Sequence, residues 1–444
     1  LDHNYIKNAA DPARIIPRSG HNISRSSISN EALKVLYRLK ESGYQAFLVG
    51  GGVRDLLLGR EPKDFDVVTD ARPEQVRKVF RNSRLIGRRF RLAHVHFGRD
   101  YIEVATFRAA HEELAEDDPD RVVRDDGRIL RDNIYGSIDE DVWRRDFTVN
   151  ALYYNIADFS VWDYTNGLAD IEVGLLRLIG DPETRFREDP VRMLRAVRFA
   201  AKLGFRIEPK TERWLFELGS LLAEVSPSRL FDELMKMFLA GTALQSFELL
   251  NHYGLLQHLL PMTDEVLSDP DEGAFRTLLT RGLENTDRRV AEQQPVTPFF
   301  LFALFLWGPI RRAAADLEKQ GENPVQALSL ASYEVAREQQ DRISVPRRFV
   351  MPMRELLTLQ ARFENRRGKR PARLAAHPRF RAAYDFLLLR IAAGEENPEL
   401  GAWWTEYQSA GLTSPVKSKA AQAQRPKRRR RRRRSVSPGA QVDR

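Results

Sequence analysis

The chain has 444 residues, 42% of them hydrophobic and 30% charged, which suits a soluble protein of about three globular domains. It contains no cysteine, which excludes disulfides, thiolate zinc sites and cysteine nucleophiles and fits a reducing, cytoplasmic setting. Of 71 basic and 62 acidic residues, residues 401–444 hold 12 and 2, so the net charge of +9 belongs to the C-terminal segment and the remainder is close to neutral.

Residues 1–30 read as an irregular polar segment without the apolar region of a secretory signal. "SNEALKVLYRLKESG" predicts a helix capped by Asn30, with Leu33, Leu36 and Leu39 on its apolar face and Gly43 as its stop. "QAFLV" predicts a strand, "GGG" a turn and "VRDLLLG" a helix ended by Gly59. "KDFDVVT" alternates as a strand, "RPEQVRKVFRNS" is a helix with Pro73 near its start, and "AHVHFG" and "YIEVATFR" are further strands. An acidic, turn-rich insertion runs from Ala110 to Asp132, and strand signals fade near Gly180.

Beyond that point the pattern is helical. The run "FFLFALFLW", Phe299 to Trp307, is far shorter than the roughly 20 residues a membrane span needs and predicts a buried core helix, with no stable membrane insertion. The expected class is α+β. A mixed or antiparallel head covers 31–178, a helical neck 179–245 and a helical body 246–408. A disordered arginine-rich tail covers 409–444, where "RPKRRRRRRR", Arg425 to Arg434, suits a polyphosphate-seeking arm.

Asp64 and Asp66 flank Phe65, and the side-chain period of two in a strand puts both carboxylates on one face. Such a pair either decorates a solvent-facing strand edge or repels until cations such as Mg²⁺ bind. The glycine run upstream follows a strand and opens a helix, so its backbone N–H groups can approach a phosphate, with Arg54 in reach of the same anion. It matches neither the P-loop nor the dinucleotide fingerprint. Glu103 is either a third metal-facing acid or a strand-edge charge paired with a neighbouring arginine.

In "RRDFTVNAL", Asp146 serves either as a helix cap or within a polar group with Arg144, Arg145 and Asn150 suited to phosphate, ribose and base edge. In "REDPVRMLRAVRFAAKLGF", Asp189 is placed to cap, and Leu194, Val197 and Ala201 form the buried stripe. Arg192, Arg195 and Arg198 recur every three residues beside it, and arginine in place of lysine points to planar, bidentate recognition. His94 and His96, without further ligands nearby, read as structural or RNA-facing rather than metal-binding.

In their order and spacing, "LVGGGVRD", "KDFDVVT", "IEVATFR", "RRDFTVNAL" and "EDPVRMLRAVRFA" resemble the bacterial class II branch of the nucleotidyltransferases with a polymerase-β-like core. That family contains CCA-adding and poly(A)-adding enzymes; "LIGRRFRLAHVHF" and the arginine-rich tail resemble the poly(A)-adding branch. The resemblance implies template-independent transfer of AMP from ATP to RNA 3′ ends, with pyrophosphate release and a role in RNA processing and decay. The implied partners are mRNA, small regulatory RNA, decay intermediates and the RNA-decay machinery.

It also implies roles. Asp64 and Asp66, with Glu103 as a further candidate, would ligate two Mg²⁺ ions, and Asp146 would join them in catalysis by holding the ribose. Gly51, Gly52 and Arg54 would seat the phosphates. Arg145, Asn150 and Arg195 would line the nucleotide pocket, while Asp189 and Arg192 would read the base. A carboxylate accepting from an exocyclic amine beside a guanidinium donating to a ring acceptor admits adenine and cytosine and rejects guanine and uracil. Arg108, Arg428, Arg429, Arg430 and Arg431 would contact RNA. The alternatives are a CCA-adding tRNA nucleotidyltransferase, a catalytically idle RNA-binding protein and a small-molecule nucleotidyltransferase.

Overall fold

A computed structural model describes residues 12–87, 91–109, 121–123, 129–132 and 134–410. The strands are β1 (Arg14–Ile16), β2 (Ala46–Val49), β3 (Asp66–Thr69), β4 (Ser83–Ile86), β5 (Leu92–Phe97), β6 (Asp100–Thr106), β7 (Arg121–Val123), β8 (Ile129–Asp132), β9 (Leu152–Asn155), β10 (Val161–Asp163), β11 (Leu175–Leu176) and β12 (Arg206–Ile207). Eight of them form one sheet in the order β1-β10-β9-β2-β3-β6-β5-β4. Its one parallel pair is β3 with β6; the other neighbours run antiparallel. The mixed α+β head is as expected. β7 and β8 pair as a small hairpin in the acidic insertion, most of which lies outside the described residues.

Helices α1 (Asn30–Glu41), α2 (Gly51–Leu57) and α3 (Pro73–Val79) follow the predicted segments. Ser29, not Asn30, caps α1: Ser29 is extended and its side chain accepts from the Ala32 N–H, whereas Asn30 is already helical. The helix stops as expected at Gly43, whose φ of +87° is left-handed. α1 and α3 pack on the sheet, where Val35, Leu36, Leu39 and Val76 share a core with Leu48, Val67, Val95, Ile102 and Val104.

The opposite face follows from the period of two. Phe47, Val49 and Val68 point there and pack with Ile138 and Val142 of α4 (Ile138–Trp143) and with Tyr153. This second apolar cluster covers only part of the face, and the strand ends beyond it are polar.

After α5 (Gly167–Val173), α6 (Pro182–Glu188) and α7 (Val191–Leu203) carry the chain out of the head. Leu194, Val197 and Ala201 are buried along α7. Asp189 does not cap α7: Pro190 stands at the cap and the Asp189 carboxylate accepts from Arg229 at 2.9 Å. α8 (Pro209–Leu218) and α9 (Pro227–Phe238) complete this helical segment, and the described residues beyond it to Ser409 are helical. Phe299 to Trp307 lies in the helix Pro298–Lys319, buried from Leu301 to Ile310. No helix among the described residues is long and apolar enough to cross a membrane.

One close approach ties the head's interior to its polar loop. α5 packs against the 3-10 turn Thr148–Asn150, and a Cβ on Gly167 would lie 2.2 Å from the Thr148 carbonyl oxygen. Backbone cannot move aside as a side chain can. Gly167→Ala is therefore expected to cost about 1–3 kcal/mol in urea or thermal unfolding, and an unchanged midpoint would contradict this packing.

Candidate active site

Asp66 opens β3, is in register with Glu103 of β6, and Glu103 is opposite His94 of β5. These residues share the polar face, beside a cleft of about 1030 Å³ lined by Asp64, Asp66, Glu103, Tyr101, Lys63 and Arg60, among others. Asp64 precedes the strand, so the alternation argument does not position it; the bend leading into β3 does. It nevertheless lines the same cleft. Burial, the Glu103 charge and the Asp64 charge push the Asp66 carboxyl up to about 6, against the pull of Arg145. Burial and Asp64 also raise Glu103, against Lys236. Glu103 Oε2 lies 3.5 Å from His94 Nε2. Among the described residues no group of three or more His, Asp or Glu side chains is assembled to hold a metal ion. Glu103 therefore completes no such three-acid cluster here.

The glycine turn abuts this pair. Gly50 has φ +71° and ψ −138°, a conformation open chiefly to glycine. A Cβ there would lie 3.9 Å from both Asp66 Oδ2 and Arg145 Nη1, and one on Gly52 would lie 3.3 Å from the Asp64 carbonyl. Arg145 also donates to Tyr153 Oη at 2.7 Å and to Asp141 Oδ2 at 3.0 Å. Burial opposes its charge, but Tyr153 and Asp141 outweigh that and raise its pKa.

Arg54 is placed differently from the sequence expectation. It is 1% exposed, donates to Asp55 Oδ1 and to Asn150 Oδ1 at 2.6 Å, and so points into the protein instead of toward an anion. Asn150 passes the chain on, donating to Asp146 Oδ1 at 3.2 Å. Asp146 Oδ1 also accepts from the Phe147 N–H, while Oδ2 takes Arg195 Nε at 2.7 Å and Nη2 at 2.5 Å. Burial alone would raise Asp146, but the Arg195 charge and these hydrogen bonds bring it down to about 2. Its four acceptor positions are filled by protein groups, which leaves none for a ribose hydroxyl in this arrangement.

The other arginines of α7 are likewise engaged. Arg192 donates to Glu188 at 2.9 Å and to the Arg185 carbonyl at 2.7 Å, and Arg198 to Glu233 at 2.5 Å. Arg54, Arg195 and Arg198 lie 5.3, 5.3 and 4.3 Å from the centroid of the Phe199 ring. The planar, bidentate partners inferred for these arginines are thus carboxylates and a ring of the chain itself. Arg108, expected on the RNA path, is 7% exposed and donates to the Arg91 carbonyl at 3.2 Å. Arg428 to Arg431, and residues 88–90 of "LIGRRFRLAHVHF", lie outside the described residues.

Sequence reasoning missed Asp55, Glu233, Phe199 and Tyr153, which hold these arginines. Asp55 and Phe199 lie inside quoted motifs, but Glu233 and Tyr153 meet their partners only through tertiary folding. It also missed a cationic patch on the body. Arg362, Arg366, Arg367, Lys369, Arg370 and Arg373 crowd twelve residues with one acid, Glu364, and none forms an ion pair among the described residues.

The description Poly A polymerase head domain matches residues 46–177; Probable RNA and SrmB- binding site of polymerase A matches 204–267; Polymerase A arginine-rich C-terminus matches 320–435. In fold, the chain resembles a CCA-adding enzyme in its apo form II (TM-score 0.56, 23% identity, 87% of this chain and 84% of that one). The head thus matches the polymerase head domain by its family model and a CCA-adding enzyme by its fold. Poly(A) polymerase I of Salmonella typhi is 50% identical over 401 residues, 89% of this chain and 86% of that protein. Poly(A) polymerase I of Haemophilus influenzae is 45% identical over 397 residues, 89% and 88% of the two. The chain belongs to the poly(A) polymerase I family and is an enzyme, a polynucleotide adenylyltransferase. The CCA-adding enzyme of Lactobacillus gasseri is a more distant relative, 37% identical over 51% of this chain and 54% of its own length.

Asp66 and Asp146 have opposite effects on stability. A carboxyl raised on folding from 3.8 to about 6 costs stability once pH passes about 4, in full above about 6; Asp146, lowered to about 2, contributes stability above about 4 that is lost as pH falls toward 2. In metal-free protein at pH 7.5, Asp66→Asn is expected to raise stability by less than about 1 kcal/mol, because the carboxyl, though crowded by neighbouring atoms, belongs to a residue open to the solvent of the cleft, which screens it. That gain should vanish below pH 4. Asp146→Asn is expected to cost about 2–3 kcal/mol at pH 7.5, with the deficit shrinking below pH 4. Urea titrations across pH 3–8 check both signs.

Proposed function

We propose that the chain adds AMP from ATP to RNA 3′ ends without a template and releases pyrophosphate, with mRNA, small RNAs and decay intermediates as the proposed substrates in RNA processing and decay. The observation that carries this reading is the meeting of Asp64 and Asp66 at one cleft, with the Gly50 turn and Arg145 close against Asp66. Two carboxylates at one cleft, one of them pushed up in part by the charge of the other, fit hard divalent cations such as Mg²⁺. Bound there, two such ions would lower the pKa of the RNA 3′-hydroxyl and neutralise the departing pyrophosphate.

The chain's own groups then divide the work. The backbone of Gly50, Gly51 and Gly52 seats the triphosphate with Arg145 beside it. Arg54 supports that seat from below by fixing Asn150, and Asp146 holds Arg195, whose partly exposed guanidinium faces the nucleotide. Asp189 and Arg192 read the base by exchanging their present partners, Arg229 and Glu188, for the amine and ring acceptor of adenine. RNA is held by the unpaired cations from Arg362 to Arg373 and by the arginine tail, sequence-blind contacts through phosphate.

Extension of oligo(A) and of tRNA ending before CCA, each with ATP or CTP, tests this reading. AMP addition to oligo(A) is expected, and efficient CTP incorporation would replace it with CCA addition. Asp64→Asn and Asp66→Asn should each lower AMP incorporation at least ~10²-fold with the fold retained, since losing a metal ligand forfeits several kcal/mol of charge stabilisation. Deleting Arg425 to Arg434 should weaken RNA binding and flatten its salt dependence, by about 0.7 in log–log slope per arginine engaged, while ATP binding holds. An unchanged slope would remove the tail from the RNA path.

A further inference from the structure

The polar face of the sheet continues past the acids into a patch of rings that the proposed chemistry leaves without a task. On β6, Tyr101 stands two residues from Glu103 and therefore on the same face; on β5, His94 is opposite Glu103 and His96 opposite Tyr101. The Tyr101 and His94 rings are stacked, centroids 4.0 Å apart and planes 13° from parallel, and the His96 ring stands 6.0 Å from Tyr101 at 56°. Tyr101 is 51% exposed and lines the same cleft as Asp64 and Asp66. A tyrosine kept solely for packing would be covered by apolar neighbours. This one is backed on one side by an imidazole, and half its surface is open beside a carboxylate.

Strand order shows which substrate meets it. Across the sheet the order runs β2, β3, β6, β5. The glycine turn at the end of β2 and the arginines of α7 lie on one side of Asp66, and the ring patch lies on the other. Nucleotidyl transfer needs the attacking and leaving oxygens roughly in line, so a nucleophile enters from the side opposite the triphosphate seat. From strand spacing and rise, the backbone of Tyr101 stands about 8 Å from that of Asp66. A 3′-hydroxyl at the acids carries its own base within that distance.

Resting on the reading that the enzyme extends RNA, the geometry points to Tyr101, backed by His94 and flanked by His96, as the platform on which the 3′-terminal base of the RNA primer stacks. Purines, with the larger π-face, stack more strongly than pyrimidines. An enzyme that has just added adenosine thus presents its product's end as the better next primer.

The test is steady-state extension by the full chain of two oligoribonucleotides that differ only in a 3′-terminal adenosine or uridine. Tyr101→Ala should raise the KM for the adenosine-ended primer roughly 5- to 100-fold, the range of one lost base stack, and shrink the preference for adenosine over uridine ends. The KM for ATP should not move, and Tyr101→Phe should restore both primer values. A folded Tyr101→Ala protein, shown by an unshifted melting curve, with unchanged primer KM and end preference would overturn the assignment. So would a rise confined to the KM for ATP, which would place the incoming base on this ring. A wild-type chain that extends neither primer would instead sink the polymerase reading itself, so the two failures are distinguishable.

Discussion

The ion pair between Asp146 and Arg195 is the interaction on which the arrangement of head and neck depends. It joins the loop before β9 to α7 through a partly buried, two-pronged contact. The chain of contacts extends through Asn150 and Arg54 to Asp55, and Lys202 returns to Asp55 at 3.7 Å, closing the loop back to α7. Removing one member of such a chain strands a charge that burial penalises by several kcal/mol, whereas the intact set costs little. Arg54 sits one turn from the glycines and Asp146 one residue from Arg145. The network that clamps α7 to the head therefore also fixes the glycine turn and the backbone beside Arg145.

Charge is handled in opposite ways a few ångströms apart. Inside the network each carboxylate meets a guanidinium and Asp146 stays ionised far below neutrality. At the cleft, Asp66 faces Glu103 and Asp64 with Arg145 pulling the other way, and its proton is held up to about 6. A fold selected for stability alone would place a cation between these acids. Leaving the pair under-compensated stores an electrostatic deficit, which is the condition under which the proposed divalent cation would bind there.

Much of the head was legible because its signals are local. Alternation in "KDFDVVT" and "YIEVATFR" and the glycine turn before "VRDLLLG" gave β3, β6 and α2 to within a few residues. The acids also came together as the motif order implied, although Asp64 reaches the cleft from a bend and not from the strand. What the sequence could not show is the direction in which a long side chain turns. Arg54 and Arg192 were read as facing ligand; both turn inward because Asn150 and Glu188 stand within reach, and only the folded chain brings Asn150 to Arg54. Arg108 differs for a related reason, since an arginine just past a strand looks exposed until the fold brings the Arg91 carbonyl within its reach.

These placements separate the enzyme's two dealings with charge. Arg195 and Arg198 of α7 are satisfied by protein carboxylates and by the Phe199 ring, so their geometry is set within the chain itself. Planarity explains why arginine is used: a lysine cannot stack on a ring and bridge a carboxylate at once. The cations from Arg362 to Arg373 are exposed and without acidic partners among the described residues, and seven arginines run consecutively in the tail. Contacts of that kind form by displacing counterions, so their strength follows salt while the preorganised network is screened far less. In the proposed reading, grip on RNA through these cations would follow ionic conditions while the buried network stays in place, so RNA could be released and rebound without dismantling the site.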